Sequence, residues 1–133
     1  MLKIRLSQVL VATLLGLPAG ILMQVSKAYS QSYFGAIAYS EITGGYGYSY
    51  DYANRAAAET AAVRACEAST GYGDCFALIW FQNACGALAQ ASNGAYGAAW
   101  DSYQAGAEYR AIDTCNSYGG YDCVVTRWVC TTR

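Results

Sequence analysis

The chain has no histidine, and its two lysines, Lys3 and Lys27, both fall within the first 30 of 133 residues. Without histidine there is no Ser/His/Asp or Cys/His nucleophile arrangement, because the imidazole is the base in both. Beyond residue 30 there is no Ser–Lys pair and no phosphate loop with its lysine. Charge is scarce as well: acidic and basic side chains make up 13% of the chain. Beyond residue 30, five arginines face nine acids, a net charge of −4. Nucleic acid and anionic membrane surfaces need clustered cations to neutralise phosphate, so an acidic, lysine-free segment is a poor match for either.

The first 30 residues read as a signal peptide. Lys3 and Arg5 give a positive start, and the stretch from Val9 to Met23 is almost wholly apolar. Ala28 and Ser30 then place small residues at the −3 and −1 positions of a cleavage site before Gln31, with cleavage after Ala28 as the other option. The apolar run is about 15 residues, is interrupted by Gly16, Pro18 and Gly20, and is shorter than the roughly 20 that span a bilayer. The expectation is therefore cleavage, not a membrane anchor. It leaves one domain, residues 31–133, secreted to a periplasm or to the outside of the cell. No cysteine precedes Cys66, so no lipid is attached at the cleavage site.

All six cysteines lie in that domain. An even number in an exported chain reads as three disulfides. The intervening spacings of 8, 9, 29, 7 and 6 residues contain no C-x-x-C, and no metal or other cofactor is expected.

The domain repeats itself. Gly35-Ala36-Ile37-Ala38 aligns with Gly86-Ala87-Leu88-Ala89, Tyr46-Gly47 with Tyr96-Gly97, and Tyr50-Asp51 with Trp100-Asp101. Ala58-Glu59 then aligns with Ala107-Glu108, Cys66 with Cys115, Cys75 with Cys123, and Trp80 with Trp128. The offset falls from 51 to 48 in single steps, each in a turn or at a helix edge, where deletions cost little packing. The two copies span residues 33–82 and 85–131.

Each copy predicts the same elements. Residues 33–40 and 45–52 read as a hairpin, and the turns Thr43-Gly44-Gly45 and Ser92-Asn93-Gly94 have the matching chemistry. Residues 54–67 and 103–115 read as Ala-rich helices. Residues 75–81 and 123–129 are rich in β-branched and aromatic side chains and read as strands. The expected fold is α+β: two tandem β-β-α-β repeats with pseudo-two-fold symmetry, stabilised by disulfides. The repeat pairs Cys66 with Cys75 and Cys115 with Cys123, each between a helix end and the next strand. Cys85 and Cys130 remain, with Phe34 and Gln82 as their counterparts. The other connectivities that six cysteines allow stay open at this point.

GAIAYS, the RAAAETAAVRAC helix, DCFALIWFQNACGALA and the final RWVC resemble the bacterial secreted domain of unknown function DUF4189, over residues 33–131. The resemblance implies an exported bacterial protein of this fold, in some members an effector acting on host cells. It implies no agreed activity.

The remaining chemistry is carboxylate and tyrosine. Asp51 with Asp101, and Glu59 with Glu108, are related by the repeat, and two acids can divide acid and base roles in glycoside cleavage. The stronger reading is structural: Asp51 and Asp101 precede helices, where a carboxylate answers free N–H groups, and Glu59 and Glu108 lie on the helices. Gly44-Gly45-x-Gly47 and Gly71-x-Gly73 read as turns. Along residues 46–52, Tyr46, Tyr48, Tyr50 and Tyr52 alternate with smaller residues and should share one strand face. The second copy offers Tyr96, Ala98 and Trp100 there. Tyr46, Tyr50 and Trp100 are expected to pack beneath the Ala-rich helices. Tyr72, Tyr118 and Tyr121, in the disulfide loops, are expected to be exposed.

Tyrosine combines an apolar ring with a polar tip and suits protein interfaces and sugar stacking alike. Tyr48, Tyr52, Tyr72, Tyr118 and Tyr121 are thus the candidate binding residues. The expected function is a non-catalytic secreted module that contacts a protein partner, as an inhibitor or effector. Binding of cell-wall glycan is the alternative, and a carboxylate-dependent hydrolase ranks third. The sequence names neither the partner nor the oligomeric state.

Overall fold

Each hairpin alternates small residues with larger ones, and that alternation decides which strand face a helix can approach. The computed structural model describes residues 32–132. The expected signal peptide lies outside the described residues.

The elements are β1 (Phe34–Tyr39), β2 (Tyr46–Tyr52), α1 (Arg55–Thr70), β3 (Phe76–Gln82), β4 (Cys85–Gln90), β5 (Tyr96–Asp101), α2 (Gln104–Ser117) and β6 (Val124–Cys130). The fold is α+β, with two antiparallel three-stranded sheets ordered β2-β1-β3 and β5-β4-β6. The two sheet–helix halves resemble each other. Each runs strand, strand, helix, strand, and each has an irregularity at the matching place, after Ile37 opposite β3 and after Leu88 opposite β6. Both helices run two to three residues past their expected ends.

Alanine sets the helix–sheet distance. Ala36 and Ala38 of β1 pack with Ala58, Ala62 and Cys66 of α1. Ala87 and Ala89 of β4 pack with Ala107, Ala111 and Cys115 of α2. The approach is closest at Gly47 in β2, where a Cβ would overlap the backbone of Ala62 and Cys66, and at Gly97 in β5, where it would overlap Ala111 and Cys115. Gly47 is therefore a buried strand residue and not part of a turn. The other faces of the two sheets meet around Ile37, Tyr39, Phe81, Leu88 and Val129. Phe81 fills the space over two glycines, since a Cβ on Gly35 of β1 or Gly86 of β4 would overlap its ring. The layers are thus helix, sheet, sheet, helix.

This arrangement corrects the expected place of the tyrosines. The helices cover the Gly47/Ser49 and Gly97/Ala99 faces, so the rows of large residues look the other way. Tyr50 is 52% and Trp100 51% exposed, and neither packs under a helix. Tyr46 is half-buried against the inter-sheet cluster. Tyr52 leaves the row altogether. Asp51 takes a left-handed φ of 61° and the register slips there, which turns Tyr52 to the helix side opposite Phe34.

Asp51 does not serve α1. The N-cap is Asn54, whose side chain accepts the Ala57 N–H at 2.8 Å. Asp51 instead accepts the N–H of Thr132 at 2.7 Å and its hydroxyl as well. The disulfides join Cys66 to Cys75, Cys115 to Cys123 and Cys85 to Cys130, the last across a directly paired register of β4 and β6. In the first half the place of that bridge is taken by Phe34, which stacks on Trp80. Among the described residues no helix is long and apolar enough to cross a membrane.

Candidate functional site

A hairpin followed by a helix and a returning strand brings the hairpin turn and the helix–strand loop to the same end. In the first half these are the turn at residues 40–45 and the loop at 71–75. In the second they are the turn at 91–95 and the loop at 118–123. Both pairs are tied together. Asp74 accepts the Ser40 hydroxyl at 2.8 Å and the Ile42 N–H at 3.1 Å, and Asn93 donates to the Gly119 carbonyl at 2.8 Å. Each loop is also closed by its disulfide, and Glu67 accepts the N–H groups of Gly73 and Cys75 at 2.7 Å. The two turns then join across the sheets. Gln90 donates to the Gly44 carbonyl at 2.8 Å, and the rings of Tyr39 and Tyr96 lie 4.1 Å apart. One end of the domain, the turn end, thus carries all four segments.

That end is aromatic and water-facing. Tyr72 is 64% exposed, and Tyr118 and Tyr121 are each 74% exposed. Gly71 and Gly73 hold their loop through positive φ angles of 72° and 74°. Two clefts open beside the second turn. One, of about 360 Å³, is lined by Leu78, Tyr96 and Tyr118; the other, of about 310 Å³, passes Glu41 and Ile42. Burial raises the Tyr96 hydroxyl above its ordinary value, and a hydrogen bond to Glu41 and the nearby negative charge push the same way. Partial burial also acts to raise Asp74. Hydrogen bonds from Ile42 N–H, the Ser40 hydroxyl and the backbone of Asp74 and Glu41 outweigh it and hold that carboxyl below its ordinary value.

The other two candidate tyrosines lie elsewhere. Tyr48 lies under the Arg127 guanidinium, 4.6 Å from the ring centre, where β2 faces β6. The Arg127 Nε is buried without a hydrogen-bond acceptor, and the faces of Tyr48 and, at 5.7 Å, Tyr46 are favourable neighbours of the guanidinium. Tyr52 borders a groove of about 520 Å³ along Ala56, Ala57, Thr60, Ala61 and Arg64 of α1.

The carboxylates at matching places in the two halves are engaged one by one. Asp101 accepts the Tyr103 N–H at 3.3 Å and pairs with Arg110 at 3.4 Å. Glu59 pairs with Arg55 at 3.1 Å, and Glu108 accepts from Gln104 at 3.3 Å. Among the described residues, Glu67, Asp74 and Cys75 bring three potential ligand atoms within 4.8 Å. The Cys75 sulfur is bonded to Cys66 and is no thiolate, and both carboxylates already accept backbone N–H groups. This set ties the loop down.

Residues 34–130 match the family described as Domain of unknown function (DUF4189). The chain belongs to this family. It is 42% identical to Protein Rv1269c of Mycobacterium tuberculosis over 97 residues, covering 73% of this chain and 68% of that protein. Protein Mb1300c of Mycobacterium bovis matches with the same identity and coverage. The NMR structure of Rv1813c from Mycobacterium tuberculosis is similar in fold, with a TM-score of 0.53, 23% identity and 74% of each chain covered.

Glu41, Tyr39, Ile42 and Tyr96 enter the site of this DUF4189 domain without being among the binding candidates read from sequence. They come from hairpin ends that meet in three dimensions. The signal available was topological, since the order strand, strand, helix, strand in each half sends each hairpin turn to the end that carries a disulfide loop.

Proposed function

We propose that the chain is a secreted, non-catalytic binding module that contacts a protein partner through its turn end. The observation that carries this reading is the set of exposed tyrosines on loops held by disulfides and hydrogen bonds. Tyrosine gives large contact area at low entropy cost, and ordered loops lose little more on binding. Export is part of the proposal: residues 1–30 act as a cleaved signal peptide, and the three disulfides suit the oxidising periplasm or exterior. The halves are read as tandem repeats related by a pseudo-two-fold axis, supported by their matching element order and strand irregularities.

The test is affinity capture by the oxidised protein from the envelope and culture fluid of its own organism. Recovery of one protein near stoichiometry, lost in a Tyr72→Ala/Tyr118→Ala/Tyr121→Ala variant, supports the reading. Recovery unaffected by the triple change sinks it.

A second reading, glycan binding, draws on a cleft of about 270 Å³ lined by Trp80, Phe81, Gln82 and Trp100. Two partly exposed indoles beside an amide are suited to stacking on and hydrogen-bonding a sugar ring. Peptidoglycan retention that persists in Trp100→Ala would count against it.

A further inference from the structure

The protein-binding reading leaves the partner's chemistry open, and the clefts at the turn end narrow it. The cleft lined by Leu78, Tyr96 and Tyr118 shares Gly94 and Ala95 with the cleft that passes Glu41 and Ile42. Glu41 is exposed and lines the second of these clefts, which sets a carboxylate where the clefts adjoin. The four surrounding segments, residues 40–46, 67–76, 90–96 and 116–124, contain Glu41, Glu67, Asp74 and Asp122 and no arginine or lysine. Arg127 lies over the rings of Tyr48 and Tyr46, 4.6 and 5.7 Å from their centres, where β2 faces β6, whereas the Tyr96–Tyr118 cleft lies where β3 faces β5.

Tyrosine faces beside a carboxylate suit an ammonium or guanidinium group. The ring face attracts the cation, the carboxylate pairs with it, and partial exclusion of water strengthens both. An acidic partner surface is repelled at the same place. We propose that the turn end binds a lysine- or arginine-bearing segment of a protein partner, with one cation seated between the Glu41 carboxylate and the rings of Tyr96 and Tyr118. This inference rests on the protein-binding reading and names the chemistry of the partner. Asp74 and Asn93 order the turns in advance, so affinity is not spent on ordering them.

The probe is a hexa-arginine peptide titrated into the isotope-labelled, oxidised full chain and followed by NMR, with hexa-glutamate as control. Hexa-arginine is expected to shift the amides of Gly44, Ala95, Tyr96 and Tyr118, and to bind more weakly as salt rises. Glu41→Gln weakens binding about tenfold, the loss of one charge-assisted contact. Tyr118→Ala weakens it too, while Glu59→Gln on α1 leaves it unchanged. Equal affinity in Glu41→Gln, or shifts confined to α1, overturns the proposal. So does a result in which soluble peptidoglycan fragments move the turn-end amides and hexa-arginine does not. A captured partner that depends on Tyr72 and Tyr121 but ignores Glu41→Gln and salt keeps the binding module and removes the cation site.

Discussion

Gly47 sits so close to the backbone nitrogen of Cys66 that a Cβ on it would overlap that atom. Gly97 stands in the same relation to Cys115. The obstacles are backbone atoms of a disulfide-anchored helix, so no rotamer change relieves them. Gly→Ala at a compatible site stabilises by about 0.4–1 kcal/mol through the unfolded chain. Here the sign reverses. Gly47→Ala and Gly97→Ala are each expected to destabilise by about 1–3 kcal/mol, the cost of overpacking. Urea unfolding reads this as a lower midpoint at unchanged slope. A midpoint that stays or rises would mean the helices do not lie on that face.

The three disulfides should differ in weight. Cys66–Cys75 and Cys115–Cys123 close separations of 9 and 8 residues, and Cys85–Cys130 closes 45. Loop-closure entropy assigns about 2.5 kcal/mol to each short bridge and about 4 kcal/mol to the long one. Paired replacement by alanine, compared by thermal unfolding, should therefore cost most for Cys85 and Cys130. The opposite order would place the stabilisation in native contacts of the loops and not in the unfolded chain.

The order of elements and the partners of two disulfides, Cys66–Cys75 and Cys115–Cys123, were legible because the two halves of the sequence resemble each other; Cys85 and Cys130, with no cysteine counterparts in the first half, were left over from that alignment. What alternation does not say is which strand face a helix covers. Tyr46, Tyr48 and Tyr50 share one face and Gly47 and Ser49 the other, and a helix of alanines can lie over rings or over glycine. The helix–sheet distance decides, and it is fixed by Ala36, Ala38 and the second sheet behind them. Tyr52 defied the period because Asp51 turns left-handed, a backbone choice that period two cannot signal. Asp51 also lost the capping role to Asn54, which directly precedes the first helical residue. Of the site, the loop tyrosines were legible from their Gly-rich disulfide loops. Glu41 and Tyr96 were not, because their neighbourhood is made by two hairpins far apart in the chain.

Asp74 should make stability acid-sensitive. Its carboxyl titrates below the ordinary value in the folded protein, owing to the donors from Ile42, Ser40 and the nearby backbone that outweigh burial. The folded state therefore binds its proton less readily than the unfolded chain does. The stabilisation is fully present above the unfolded value of about 4 and is lost as pH falls through the lower folded value. Asp74→Asn removes this dependence. The stability gap between wild type and Asp74→Asn, followed by urea unfolding, should be constant near neutrality and shrink below about pH 4. A gap that holds its size into strong acid would mean the hydrogen bonds do not favour the ionised carboxylate.

Tyr72, Tyr118 and Tyr121 should separate binding from folding. Each is more than half exposed, and their loops are held by backbone and side-chain bonds from Glu67, Asp74 and Asn93, not by the rings. Exposed positions away from caps, cores and strain change stability by about 0.5 kcal/mol or less. Tyr→Ser at each should therefore leave the unfolding midpoint close to wild type while weakening partner capture. Phe81→Ala is the control. Its ring fills the space over Gly35 and Gly86, so its loss should cost about 3–5 kcal/mol. If the tyrosine changes also lowered the midpoint by several kcal/mol, the rings would belong to the architecture and the turn end would lose its claim as an interface. If they spared both stability and capture, the partner would have to dock on another face, with the Trp80–Trp100 cleft as the next to test.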